Sequence, residues 1–312
     1  MAVFRAMTDT PQPIARTVVH YSKHDPLHHV GGVETFGRNL QFIFERVEYM
    51  TPQNRDFARV ERERLPIICD NHWVVDVPKG VPAIGFQHGV AWVKRRVTKR
   101  LDDYRVAWRQ RKAAHRKNTI WVSNSEWVSR RFRELHGNGG QVIYYQVDLE
   151  RFDGRLENQG SRLILHDGRS ENKGKKLVET IAPAFPDWQF EPLNCHPSEV
   201  PDRMRKARAF MHLSKYEGNS VVCNEAMAHN LPCFFTRVGL FNDDDRPTEV
   251  CLIEPDVAYG DPAALIAKTG EFLRSLDTVV YKPRAWVEAH ASRAVCIQGW
   301  RRVIEKFDAL RR

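Results

Sequence analysis

The stretch Lys215–Gly239, KYEGNSVVCNEAMAHNLPCFFTRVG, carries two carboxylates with very different neighbours. Glu217 stands beside a glycine, whereas Glu225 is embedded among apolar residues. SVVCNEAMA reads as a helix, with Asn219 or Ser220 available as its cap and Asn230 and Pro232 as its stop. PCFFTRV then reads as a strand. Glu217 would lie on the loop before the helix and Glu225 about a turn and a half inside it, at another depth along one wall. Backbone N–H groups at the helix start suit a phosphate. A carboxylate deeper in suits a vicinal diol such as a ribose, which offers two hydrogen-bond donors. In isolation the pair is more often a dipole-favoured acid and a solvent-facing glutamate, so the surrounding chain has to decide.

That surrounding chain alternates strand-type and helix-type runs. In the first half, ARTVVHYS, RVEYMT, LPIICDNHWVVDV, VPAIGFQHGV, TIWVSNS and QVIYYQV read as strands. GGVETFGRNLQFIFERV, VKRRVTKRLDDYRVAWRQRKAAHRKN and EWVSRRFRELHG carry helical periodicity. The second half repeats the theme with SRLILHDGR, WQFEPLN, ARAFMHLS, PCFFTRV and EVCLIE as strands, helices between them, and one long helix after Pro283. Such alternation predicts α/β domains with parallel sheets. The 312 residues suit two of them. The expected organisation is a first domain over 1–150, a polar linker over 151–161, a second domain over 162–282, and a C-terminal helix over 283–312 returning to the first domain. Ligands of such sheets bind outside the carboxyl ends of the strands.

Three further segments fall at strand ends. HDGRSENKG places Arg169 and Lys173 after a strand, a fork donor and a point charge that together suit a diphosphate, although two basic loop residues are also common on plain surfaces. VGGVETF places Gly31 and Gly32 between the first strand and a helix, where the backbone can approach a ligand or simply turn. FQHG places His88 at a strand end, able to donate to a phosphate or a sugar hydroxyl, or to be structural.

Taken in order, GGVET, WVSNSEWVSRRF, VIYYQVDLERF, LHDGRSENKG and KYEGNSVVCNEAMAHNLPCFFTRVG resemble the motifs of retaining GT-B glycosyltransferases of the family-four type. The resemblance covers most of the chain. It implies two Rossmann-like domains facing each other across a cleft, and a nucleotide-sugar donor, UDP- or GDP-linked, with no metal. It also implies site roles. Arg169 and Lys173 would neutralise the donor diphosphate, Glu217 would face the donor sugar, and Glu225 would hold the ribose hydroxyls. Gly31 and Gly32 would line the phosphate side. Gly218, Asn219 and Ser220 would offer donors at the helix start, and His88 would reach in from the opposite domain. The chain departs from the pattern in places. The gap from Arg169 to Lys173 is one residue short, Tyr145–Gln146 replace the usual Asn-Gly, Asn230 replaces a glycine, and Leu240 follows Gly239 where a second glycine is usual. The acidic run Asp243–Asp245 reads as a solvated loop.

Charge bears on the acceptor. The net charge is +9. Residues 1–150 hold 24 basic and 16 acidic side chains, against 24 and 23 in the remainder, so the excess lies in the first half. It concentrates between Lys94 and Lys117, with Lys94, Arg95, Arg96, Lys99 and Arg100 at its start and Trp92 and Trp108 interleaved. This run is a solvated face, a seat on an anionic membrane beside a lipid-linked acceptor, or a grip on a nucleic-acid backbone. The expected acceptor is accordingly an envelope glycan or lipid-linked saccharide, with modified bases of DNA as the alternative. A nucleotide-sugar epimerase or a non-catalytic binding relative is the alternative of another class. No apolar run reaches the roughly 18 residues of a membrane span. The N-terminal MAVFRAMTDTPQP lacks a signal-peptide core. The six scattered cysteines include no CxxC pair. A cytoplasmic protein, or one peripheral at the inner face of a membrane, is therefore expected.

Overall fold

A computed structural model describes residues 11–168 and 170–311. In the first sheet, β1 (Ile14–Tyr21), β2 (Phe44–Met50), β3 (Ile67–Asp70), β4 (Ala83–Gln87), β5 (Thr119–Ser123) and β6 (Gln141–Val142) lie in the order β2-β1-β3-β4-β5-β6. In the second, β7 (Leu163–His166), β8 (Gln189–Pro192), β9 (Ala209–His212), β10 (Cys233–Thr236) and β11 (Cys251–Ile253) lie in the order β11-β10-β9-β7-β8. Every pairing is parallel. Strands such as IICD, AFMH and CFFT are buried along their whole length, because helices cover both faces of a parallel sheet.

The helices of the first half are α1 (Gly32–Asn39), α2 (Phe57–Arg62), α3 (Ala91–Thr98), α4 (Leu101–Ala114) and α5 (Glu126–His136). Those of the second are α6 (Lys175–Ile181), α7 (Val200–Lys206), α8 (Val221–Ala228), α9 (Pro255–Gly260), α10 (Pro262–Ser275), α11 (Arg284–His290) and α12 (Arg293–Ala309). Each sheet is doubly wound. Strand order reverses beside β1 in the first and beside β7 in the second, which opens crevices between β1 and β3 and between β7 and β9. No helix among the described residues is long and apolar enough to cross a membrane.

Several elements differ from the sequence expectation. The basic stretch is two helices rather than one. Lys99 adopts φ 56, closing α3 with its N–H on the Arg95 carbonyl, and Thr98 donates to Asp103 across the turn, so α4 folds back along α3. LPIICDNHWVVDV forms a strand only over β3. Asn71, at φ 45, ends it, and a 3₁₀ turn follows over Trp73–Asp76. QVIYYQV forms a strand only at Gln141–Val142, and its Ile143, Tyr145 and Val147 are buried beyond that short strand. The helix after Pro283 is also divided. Val287 and Ala291 belong to the core of the second sheet, whereas Ile297, Trp300, Val303 and Phe307 belong to that of the first. The break between α11 and α12 is where the chain crosses, and there the Ala291 carbonyl accepts from Val147 N–H at 2.9 Å.

Candidate active site

A cleft of about 620 Å³ lies between the carboxyl ends of the two sheets and is lined from both. Each switch-point crevice carries an Asp–His pair, placed there by short strands that end on a polar residue. In the first sheet, Asp70 ends β3 and its Oδ1 lies 3.0 Å from Nε2 of His20 on β1. The same oxygen lies 2.8 Å from Nε2 of His88, the residue after β4. The other nitrogen of His88 is 2.6 Å from the Tyr145 hydroxyl. Burial opposes ionisation of Asp70, but the two imidazoles bring its pKa down to about 2. His88 therefore lines the cleft with both ring nitrogens engaged by protein groups, an arrangement the sequence reading of a free donor did not anticipate.

In the second sheet, His212 ends β9 and Asp167 follows β7. His212 Nδ1 is 3.4 Å from Asp167 Oδ2, and its Nε2 is 3.3 Å from Glu217 Oε1. Lys173 bonds Glu217 directly and lies 3.6 Å from Asp167. Cations and carboxylates thus alternate at the cleft floor. Burial opposes charge on Glu217, yet Lys173 and His212 hold its pKa down to about 2. Burial likewise works against charge on Lys173 and His212, yet Glu217 and Asp167 keep Lys173 above its usual value, and Cys223, with Asp167 and Glu217, keeps His212 above its own. Arg169 lies outside the described residues. Sequence reasoning passed over His212 and Asp167, although a histidine closing an otherwise apolar strand is itself a signal of a buried polar site.

Glu225 is separate from this cluster. It lies in the fifth position of α8, lines the cleft, and has no ion pair among the described residues. Burial raises its pKa to about 7, against the pull of Arg151 and Arg38. Between the two glutamates, Ser220 stands at the N-cap of α8 and makes no side-chain cap, so the first-turn N–H groups have no side-chain acceptor. Gly31 caps α1, and a Cβ on Gly32 would lie 3.8 Å from Val221, so the starts of α1 and α8 meet across the cleft.

The loop before α8 also joins the two halves. A Cβ on Gly218 would come within 2.2 Å of the His88 carbonyl oxygen, so close approach of the two backbones requires glycine there. The Gly218 carbonyl accepts from Ser125 Oγ at 3.2 Å and Leu240 N–H at 2.8 Å. Asn219 donates to the Asn124 carbonyl at 3.0 Å. The Tyr216 hydroxyl takes the Val90 N–H at 2.6 Å and lies 3.1 Å from the Val90 carbonyl. Asn230 adopts φ 60, the left-handed position that a glycine would fill. Asp243 departs from the reading of its run as a solvated loop, whereas Asp244 and Asp245 are exposed as that reading expects. Asp243 is fully buried and accepts from Glu126 and Trp127 N–H at 2.9 and 2.5 Å, at the start of α5. Burial lifts its pKa to about 6, even with those two N–H groups aimed at it. Of the five basic residues singled out, Lys94 alone lines the cleft, paired with Asp103 at 3.0 Å. Arg96, Lys99 and Arg100 are exposed, and Arg95 lies over aromatic rings.

No family model matches the chain, and no curated protein matches it. Solved structures do. Sucrose-phosphate synthase from Thermosynechococcus elongatus matches with a TM-score of 0.73 at 17% identity, covering 94% of this chain and 100% of that one. Anabaena HepE in complex with UDP-glucose matches with a TM-score of 0.69 at 14% identity, over 93% and 99% of the two chains. A glycosyltransferase from Rickettsia africae matches with a TM-score of 0.62 at 12% identity, over 95% and 98%. The chain has the GT-B fold. The cleft described above lies between the two domains of that fold.

Proposed function

We propose that the chain is a retaining glycosyltransferase that moves a sugar from a nucleotide-sugar donor to an acceptor. The observation that carries this reading is the sequence of groups along one wall. The Lys173–Glu217 pair comes first, then the uncapped start of α8, then Glu225, which has no ion pair among the described residues. These provide a cation and N–H groups for a diphosphate, with a carboxylate on either side. In the donor complex, Lys173, Arg169 and the first turn of α8 hold the diphosphate, with backbone at Gly31 and Gly32 opposite. Gly218 and Asn219 brace that turn through their contacts with the other domain. Ser220 supplies its first hydroxyl, and Glu225 accepts from the ribose diol. The base extends toward Leu193, Cys195 and Pro197, which line the same cleft. HepE has been solved with UDP-glucose, which favours a UDP-sugar over a GDP-sugar here.

In the reaction, the bond from the anomeric carbon to the diphosphate oxygen breaks while the acceptor oxygen bonds to that carbon on the same face. The acceptor proton passes to the departing diphosphate. Negative charge grows on the leaving group, where Lys173, Arg169 and the α8 start stabilise the transition state more than the ground state. The countercharge in this scheme comes from the protein, so it calls for no metal. Glu217 exchanges part of its bond with Lys173 for hydroxyls of the donor sugar. His88, held by Asp70 and Tyr145, presents its ring edge to that sugar from the opposite wall. The acceptor is an envelope glycan or lipid-linked saccharide. The basic first domain also keeps modified DNA bases as a second acceptor class. A screen of UDP-, GDP- and ADP-sugars for hydrolysis and transfer, with the product anomer read by NMR, tests the reading. Transfer with retention, lost in Arg169→Ala, is expected. An altered free nucleotide sugar with no transfer would indicate an epimerase and overturn it.

A further inference from the structure

The packing of α4 runs against its composition. Its buried stripe includes Asp103, Ala107, Gln110 and Ala113, whereas Leu101, Tyr104 and Trp108 are 89%, 39% and 46% exposed. Leu101, Tyr104, Arg105, Trp108 and Lys112 recur at helical spacing on one outward face. Val97, at the end of α3, is exposed beside them. The rings form one platform. Trp92 meets Tyr104 and Trp108 edge-on at 5.6 and 6.1 Å, Arg95 lies over Trp92 and Tyr104, and Arg111 lies over Trp108. Nine basic and two acidic residues lie between Ala91 and Ala114. Among the described residues only two of the nine have carboxylate partners, Lys94 with Asp103 and Arg109 with Asp76. Folding needs none of this apolar surface on the outside. Aliphatic tips, Trp and Tyr rings, and unpaired basic side chains together are the composition of a bilayer interface.

We propose that the α3–α4 hairpin docks on an anionic lipid bilayer. Val97 and Leu101 enter at the turn, the rings of Tyr104 and Trp108 sit at headgroup level, and Lys99, Arg100, Arg105 and Lys112 meet the anionic headgroups. Nucleic acid fits this face less well. The rings already pack on one another and under Arg95 and Arg111, and the aliphatic tips gain nothing from a phosphate backbone. Docking does not depend on the glycosyl-transfer reading, but one consequence does. Lys94, Thr98, Asp103 and Val106 of the same hairpin line the cleft, so a docked enzyme would open its cleft at the membrane and take a membrane-borne acceptor.

The test is co-sedimentation of the full chain with phosphatidylcholine vesicles, with or without phosphatidylglycerol, alongside gel shift with single- and double-stranded DNA. Wild type is expected to bind only the anionic vesicles, with a blue-shifted tryptophan emission and partial release by salt. Lys99→Glu/Arg100→Glu and Leu101→Ser/Trp108→Ser should each weaken binding by roughly tenfold or more. All four side chains are exposed or half-exposed, and circular dichroism checks that the variants stay folded. Failure to bind anionic vesicles, unchanged binding by both variants, or tight salt-sensitive DNA binding without vesicle binding would overturn the proposal. Donor hydrolysis measured without vesicles reads the glycosyltransferase assignment separately, so either can fail alone.

Discussion

The two switch points use the same pair of residue types for different ends. In the first domain, the Asp70 carboxylate oxygen is shared by His20 and His88, and Tyr145 occupies the far nitrogen of His88. That network is closed around His88, while the second oxygen of Asp70 and Nδ1 of His20 lie buried without a hydrogen-bond partner among the described residues. In the second, Asp167 and His212 are joined by Lys173 and Glu217, whose side chains are 30% and 17% exposed and face the cleft. That network can exchange partners with a ligand. Similar buried charges thus end on a buried tyrosine on one side and on a partly exposed lysine and glutamate on the other.

Substitution in the open network should hit chemistry hardest. Lys173→Ala and Glu217→Ala are each expected to lower transfer by about 10²–10³-fold, read with saturating donor, while circular dichroism reports a folded chain. Near wild-type turnover would erase the distinction between the two walls. In the closed network the loss should fall on stability instead. Asp70→Asn should cost up to about 3 kcal/mol in denaturant unfolding, since it removes the charge from the oxygen that two imidazoles share. Its pH dependence follows from a carboxyl depressed to about 2. The stabilisation is present above the unfolded carboxyl value and disappears as pH falls through about 2. A variant that kept its stability but lost transfer would place Asp70 in the chemistry.

Gly218→Ala tests the contact between the walls. Its Cβ would sit 2.2 Å from the His88 carbonyl oxygen, so a loss of about 3 kcal/mol and weakened donor binding are expected together. Glu225→Gln should raise the donor KM about tenfold with a smaller change in kcat, the signature of a binding carboxylate. Because the Glu225 pKa is raised to about 7, its ionised form populates as pH rises through that value. Donor affinity should climb with it in wild type and stay flat in the variant. The smallest effect is expected from Tyr216→Phe, which removes the hydroxyl bonded to Val90 and should cost about 1 kcal/mol by urea unfolding.

Much of the α8 wall of the cleft was legible along the chain. The α8 helix, its glycine-preceded start, the depth difference between Glu217 and Glu225, and the left-handed Asn230 all follow from local spacing and turn chemistry. The break at Lys99 was less legible, because a basic run keeps helical propensity through a residue that the Thr98–Asp103 bond turns aside. Asp243 misled altogether. Three aspartates in a row resemble a solvated loop, and only the arrival of the α5 start explains why the first is buried.

The sequence by itself determined the alternation of strands and helices, the helix caps, and the residue types at the strand ends. These depend on neighbours a few positions apart, where backbone preference and hydrophobic period act. Tertiary structure alone decided which of those residues meet. Asp243 and Glu126 are 117 residues apart, Ser125 and Gly218 are 93 apart, and Tyr216 reaches Val90 across 126. No local preference encodes such pairs. They form because burying both sheets' apolar faces brings the strand ends together, and the polar groups arriving there must satisfy one another or a ligand.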